Sequence, residues 1–325
     1  MDLRLIAFDL DGTLLRSDKS ISPRTMHALH AAQERGVLLV PATGRLYRSL
    51  PEALLDEQLS RYGIRMISLR IVCQNAEYRD RIDIQEDELY ELLTHELPKT
   101  SLPLPEDVSA LYESLAQEGV TDVIHMSISS GLSGTFNMVR MITRDFESRM
   151  RVHMVDSRTL SMGLGMMVLA AARALEEGAT PEEAIERAQA VRRNQLGMFV
   201  IRTLEFLRKG GRIGKVEGVV GSLLQIKPII YVNDEGIYAT LAKARGYKSA
   251  VDTMVGEVKR FLGGAKAELS VVNGKAREEA EKLMERLRSE LDVTGETYIM
   301  PVSPVLAIHT GPGLLGIVAN RAAPV

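Results

Sequence analysis

The chain has 325 residues, 45% of them hydrophobic and 26% charged, and a net charge of −3. That length exceeds one small core and suggests two compact domains plus an extra segment, while the mildly acidic balance without a long basic run argues against nucleic acid as the main ligand. No apolar run reaches the roughly 18 residues of a membrane span, and the single cysteine, Cys73, excludes an intrachain disulfide framework and a cysteine-based metal cluster.

The N-terminus, MDLRLIAFDLDG, carries acids inside its apolar stretch and no small-residue cleavage site, so a cytoplasmic location is expected. The first segment reads strand, loop, helix, strand: LRLIAF, DLDGTLLRSDKSI, SPRTMHALHAAQERG and VLLVPATG. Ser22 suits the helix cap, Pro23 its first position and Gly36 its exit. A helix is predicted over SLPEALLDEQLSRYG and a strand over RMISLRIV, ahead of a polar stretch, CQNAEYRDRIDI. From Asp122 the pattern repeats as strand DVIHMSIS, turn SGLSG, helix TFNMVRMITRDFESR and strand VHMVDS, a spacing that fits a right-handed crossover. A helical block from Gly163 to Asn194 is broken at GATPEE, where Thr180, Pro181 and Glu183 spell a capping box. Beyond it GMFVIR, SLLQIKPIIYV, AELSVVNG and TYIMPVSPVLAIH predict a sheet of mixed direction, with a hairpin turn at Asn233 and Asp234.

Asp9 and Asp11 in DLDGTL follow a predicted strand, where two carboxylates can serve as nucleophile and general acid beside a magnesium ion. With Gly12 and Thr13, and with PATGRLYRS further on, this stretch resembles the first two motifs of haloacid-dehalogenase-type phosphatases of the Cof group. The resemblance implies Thr43 as a phosphate ligand, with Arg45 beside it. Those enzymes complete the magnesium site with a later lysine and a late acidic pair in a GDxxND setting, which this sequence lacks. Held by Asp9 and Asp11 alone, a divalent ion would keep mostly water ligands. Residues 1–49 therefore read as an incomplete phosphatase-like remnant. Magnesium-dependent phosphatase chemistry through Asp9, Asp11 and Thr43 is the alternative reading.

The remaining stretches EYRD, PKTSLPLPEDVSALYESL, ISSGLSGTF, VDSRTLSMGLG, TLEFLRKGGRIGK, GSLLQIKPII, KARGYKSAV and HTGPGLLGI resemble, in this order, the DegV family. The resemblance implies a two-domain α/β fold: a parallel-sheet α/β/α N-domain over 50–162, sharing the strand at 37–42, and a mixed-sheet C-domain over 163–325. It also implies a long-chain fatty acid bound between them, with no other cofactor. Such a chain is a carrier in phospholipid metabolism and not an enzyme. It presents the carboxylate to an ATP-binding fatty acid kinase subunit and makes transient contact with a membrane surface.

In SSGLSG, Ser129 and Ser130 stand between a strand end and a helix start, where hydroxyls and backbone N–H groups can receive a carboxylate. The same residues suit a plain tight turn. The resemblance makes Thr100, in KTSLP, a further donor to that carboxylate. His309, read at the end of a strand PVLAIH, suits pairing with an acid. Arg212 in KGGRIGK and Arg245 in KARGYK carry over as candidates near the head group or a kinase-facing rim, and each serves equally as a solvated charge. SMGLGMMVLAAARAL is either a wall for the acyl tail or ordinary core packing. Two departures from the family pattern stand out: Pro41, Ala42 and Thr43 replace its TDS-type triplet, and Leu102 and Leu104 replace a glutamine and a serine. Gly311, Gly313 and Gly316 spell GxGxxG but have no βαβ unit after them, and KGGRIGKV lacks the spacing of a nucleotide P-loop.

Overall fold

The computed structural model describes residues 5–8, 38–41, 59, 61–74, 76–219, 225–295 and 297–322. The chain divides into two compact units, 1–56 and 57–325. In the first, β1 (Leu5–Phe8) and β2 (Leu38–Pro41) pair in parallel, from Leu5 against Leu38 to Phe8 against Pro41. Among the described residues β1 is the partner of β2. Asp9, Asp11, Gly12, Thr13, Thr43, Arg45 and the helix predicted from Ser22 lie outside the described residues.

The second unit opens with a small antiparallel sheet in the order β4 (Glu77–Arg79), β3 (Arg70–Val72), β5 (Lys99–Ser101), with helix α1 (Glu86–Leu92) between β4 and β5. The strand predicted over RMISLRIV is thus confined to its last three residues, and its partners come from stretches too polar and short to announce themselves. Next come α2 (Pro105–Gln117), β6 (Asp122–Ser127), α3 (Thr135–Ile142) and β7 (Arg151–Asp156), with β6 and β7 parallel.

Alternation along β6 explains the layering. Val123 meets Val152 and Met154 in a core with Val108 and Tyr112 of α2 and Val139 of α3. Ile124 and Met126 point the other way, to Val155 and to Met167, Ala171, Ala174, Ala184 and Ala188. Those last five belong to α4 (Met162–Glu176) and α5 (Pro181–Arg193), which pack on β6 and β7. The predicted capping box starts α5: the Glu183 N–H donates to Thr180 Oγ1 at 3.2 Å and the Thr180 N–H to Glu183 Oε2 at 2.8 Å.

The last part is a six-stranded mixed sheet. Its strands are β8 (Gln195–Val200), β9 (Ile226–Val232), β10 (Tyr238–Arg245), β11 (Ala267–Gly274), β12 (Tyr298–Pro301) and β13 (Leu314–Arg321), in the order β10-β9-β8-β13-β11-β12. The predicted hairpin is present, with the Gly236 N–H on Asn233 O at 2.9 Å and the Ile237 N–H on Asn233 Oδ1 at 3.1 Å. Helix α6 (Glu205–Lys209) lies between β8 and β9, and α7 (Tyr247–Leu262) and α8 (Arg277–Glu290) cover one sheet face. Met254, Val258 and Leu262 recur at helical spacing against Leu269 and Val271, and against Leu315, Ile317 and Ala319, which alternate along their strands.

One element departs from expectation. TYIMPVSPVLAIH is strand only as far as Pro301, and Pro304–Thr310 forms helix α9. Ser303 has extended backbone at the N-cap, Pro304 occupies the first helical position and Gly311, with φ of 68°, ends the helix. His309 therefore sits in the last turn of a helix and not at a strand end. The six residues of PVLAIH are too few for periodicity to separate the two.

Candidate functional site

β5 and α9 meet through their polar residues. Thr100, half-buried on β5, lies with Oγ1 2.9 Å from His309 Nε2 on α9, and the two are 209 residues apart in sequence. His309 is 9% exposed, and among the described residues its Nδ1 is buried without a hydrogen-bond partner. Burial, and secondarily the positive charge of Arg212, push its imidazole down to about 4, so the ring is neutral at physiological pH.

Arg212 comes to this place through a tight turn. Its guanidinium donates to Gly210 O at 2.8 Å, and Gly210 ends α6 directly beside His309, where any β-carbon would overlap Nδ1. Gly210 has φ of −77° and ψ of −4°, which every residue tolerates, so the glycine is required here by space and not by backbone angle. Thr100, His309 and Arg212 thus bring together a hydroxyl, a neutral imidazole and a cation.

The far end of α9 is held as well. Asp80, just after β4, accepts the Val305 N–H at 3.0 Å and a hydrogen bond from the Ser303 hydroxyl. Desolvation raises its carboxyl above the usual range, partly offset by the Val305 N–H.

Ser129 and Ser130 stand where the sequence places them, after β6, but both hydroxyls are engaged. Ser129 Oγ donates to Gly236 O at 2.6 Å, joining the SSGLSG turn to the β9–β10 hairpin. Ser130 offers its hydroxyl to Asp156 Oδ2 at 2.5 Å and its N–H to Asp156 Oδ1 at 3.0 Å, and Asp156 Oδ1 also takes the Arg158 N–H at 3.1 Å. The turn does receive a carboxylate, and that carboxylate is the chain's own. Nearby, Arg192 donates to the carbonyls of Arg158 and Asn233.

Arg245 is not part of this grouping. It is exposed at the end of edge strand β10, with Nε 3.4 Å from Gln225 Oε1. Met167, Ala171 and Ala174 of the methionine-bearing stretch are core residues on β6 and β7. Among the described residues no three His, Cys, Asp or Glu side chains are grouped to hold a metal ion, and no helix is long and apolar enough to cross a membrane. Asp80, Asp156 and Gly210 escape sequence reasoning. An acid after a short strand and a glycine in a basic turn carry no local mark of partners so far along the chain.

A family model described as "Uncharacterised protein, DegV family" matches residues 52–322. One described as haloacid dehalogenase-like hydrolase matches residues 6–95 and marks a resemblance of that segment. A DegV domain-containing protein of Clostridium acetobutylicum is 38% identical over 262 residues, which span 81% of this chain and 93% of the relative. Among solved structures, one describing fatty acid binding by a DegV family protein of Thermus thermophilus shares 32% identity at a TM-score of 0.75, covering 84% of this chain and 97% of that one. DegV of Bacillus subtilis, a fatty acid binding protein, shares 28% identity at a TM-score of 0.74, with 82% and 95% covered.

Proposed function

Because the chain belongs to the DegV family, we propose that it binds a long-chain fatty acid and receives the carboxylate at Thr100, His309 and Arg212. The hydrogen bond between Thr100 and His309 carries this reading. When His309 Nε2–H donates to Thr100 Oγ1, the Thr100 O–H remains to donate to a ligand oxygen. The imidazole is neutral, so the positive charge that a carboxylate needs comes from Arg212. Ser129 and Ser130 complete the head-group set, with Ser130 exchanging its bond to Asp156 for one to the ligand. Arg245 belongs to the rim that faces a partner.

A tail of about 16 methylenes at about 0.8 kcal/mol each favours leaving water by about 13 kcal/mol. A fatty acid drawn from a membrane has a tail that is already dry, so most of that gain cancels and the head-group contacts decide selectivity. Transient contact with the membrane surface follows from the same source of ligand.

The family resemblance extends the reading to a carrier in the cytoplasm that presents the carboxylate to a separate ATP-binding kinase subunit for acyl-phosphate formation, leaving that chemistry to the partner. The phosphatase alternative is not extended to an activity, since the sequence lacks the late acidic pair that Asp9 and Asp11 would need.

Mass spectrometry of protein purified without added lipid tests the proposal. The expected result is a fatty acid released on denaturation at near-stoichiometric amount, or taken up from an offered panel of C14 to C20 acids. Protein that takes up none of the panel overturns the reading.

A further inference from the structure

Helix α9 has seven residues, too few to hold its shape without outside contacts. Its first turn can be accounted for donor by donor. Pro304 has no N–H, and the N–H groups of Leu306 and Ala307 both go to Ser303 O at 2.9 Å. Val305 remains, and its N–H goes to Asp80 Oδ1 at 3.0 Å across 225 residues of sequence. Ser303 makes no cap bond of its own, and its hydroxyl instead bonds to the Asp80 carboxylate. Asp80 does for α9 what an N-cap side chain does from inside a chain.

The position of Asp80 is itself fixed. Its N–H donates to Leu69 O at 2.9 Å, and it stands at the end of β4 in the small sheet whose other outer strand, β5, carries Thr100. Ile71 on the central strand is paired with Tyr78 on one side and with Thr100 on the other. Both ends of α9 are therefore tied to the outer strands of one sheet, at Val305 by Asp80 and at His309 by Thr100. The two ties are four residues apart, about 6 Å along the helix axis. Neither a slide nor a rotation of α9 leaves both intact.

We propose that Asp80 is a positioning residue for the head-group site: by capping α9 it sets the height and rotation at which His309 meets Thr100. This deepens the fatty-acid reading and rests on it for its effect on affinity, whereas the effect on His309 stands on geometry alone.

Long-range 15N–1H spectra of the histidine rings in the full chain, with His309 assigned through His309→Gln, read the ring directly. Palmitate binding, read by displacement of a fluorescent fatty acid, reads the consequence. Asp80→Ala should move the His309 ring signals and weaken palmitate on the order of tenfold. Asp80→Asn keeps an oxygen for the Val305 N–H and should restore both. Ser303→Ala, which removes only the second contact of Asp80, should move the ring signals in the same direction by less and keeps the test open if Asp80→Ala does not fold. Ring signals unchanged in Asp80→Ala, or unchanged in Ser303→Ala where Asp80→Ala fails to fold, overturn the proposal. Wild-type protein that binds neither palmitate nor any other acid of the C14 to C20 panel overturns the fatty-acid reading, and the ring signals still decide the role of Asp80.

Discussion

Thr100 Oγ1 and His309 Nε2 stand 2.9 Å apart, the one on an outer strand of the small sheet and the other in the last turn of a helix 209 residues later. The contact fixes the hydroxyl that the proposed carboxylate meets. Thr100→Val keeps the shape and removes the donor. It should weaken fatty acid binding about 10- to 100-fold, the range of a hydrogen bond to a charged group. Thr100→Ser should keep most of the affinity. Titration calorimetry with palmitate checks both, and equal binding by the valine variant removes Thr100 from the site.

Acid should destabilise the protein through two histidines. His309 and His125 are both pushed from 6.5 down to about 4, each mainly by burial, and His125 bridges Tyr112 and Ser127 inside the first core. Between those values the unfolded chain holds the protons that the folded chain refuses, so stability is complete above about pH 6.5 and falls as pH drops toward 4. At pH 5 the loss is about 2 kcal/mol for each histidine. Urea unfolding at pH 7.5 and pH 5 measures the sum. His309→Gln should remove about half of the pH dependence, and an unchanged dependence would place the titrating group elsewhere.

Ser130 leads to a different expectation from Thr100, because its hydroxyl and N–H already serve Asp156. A ligand must exchange one carboxylate for another, which gains little. Ser130→Ala should cost about 1–2 kcal/mol of stability, as Asp156 loses a charge-assisted donor, and weaken palmitate less than Thr100→Val does. The two variants measured side by side test this order. A larger loss of affinity from Ser130→Ala would make the turn the primary carboxylate site.

What could be read from sequence was local. The capping box at Thr180 and the hairpin at Asn233 are each encoded within five residues and are present as expected. The parallel pair of β6 and β7 followed from a strand–helix–strand spacing that fits a right-handed crossover. The placement of His309 on a helix was missed because PVLAIH is short enough to satisfy either period, and the stop and start signals at Ser303, Pro304 and Gly311 outweigh it. Insertion of the last strand, β13, between β8 and β11, and the reach of Asp80 to Val305, depend on pairings between distant segments. Those pairings exist only after the sheets have formed.

Gly210 provides the sharpest test of the site's geometry. Its backbone is helical, so alanine costs nothing in φ and ψ and lowers the entropy of the unfolded chain. The added methyl nevertheless meets His309 Nδ1 and Cε1, and it lies near Phe206 O. Gly210→Ala should therefore destabilise the protein by about 1–3 kcal/mol, the usual range for overpacking, and weaken fatty acid binding by turning the imidazole away from Thr100. The cost resides in one pair, which a double-mutant cycle can isolate. In a His309→Ala background the same glycine substitution should cost close to nothing, since the atoms it strikes are gone. If the full cost persists there, the methyl is resisted by the Phe206 backbone, and the packing of Gly210 against the imidazole is not what orients His309.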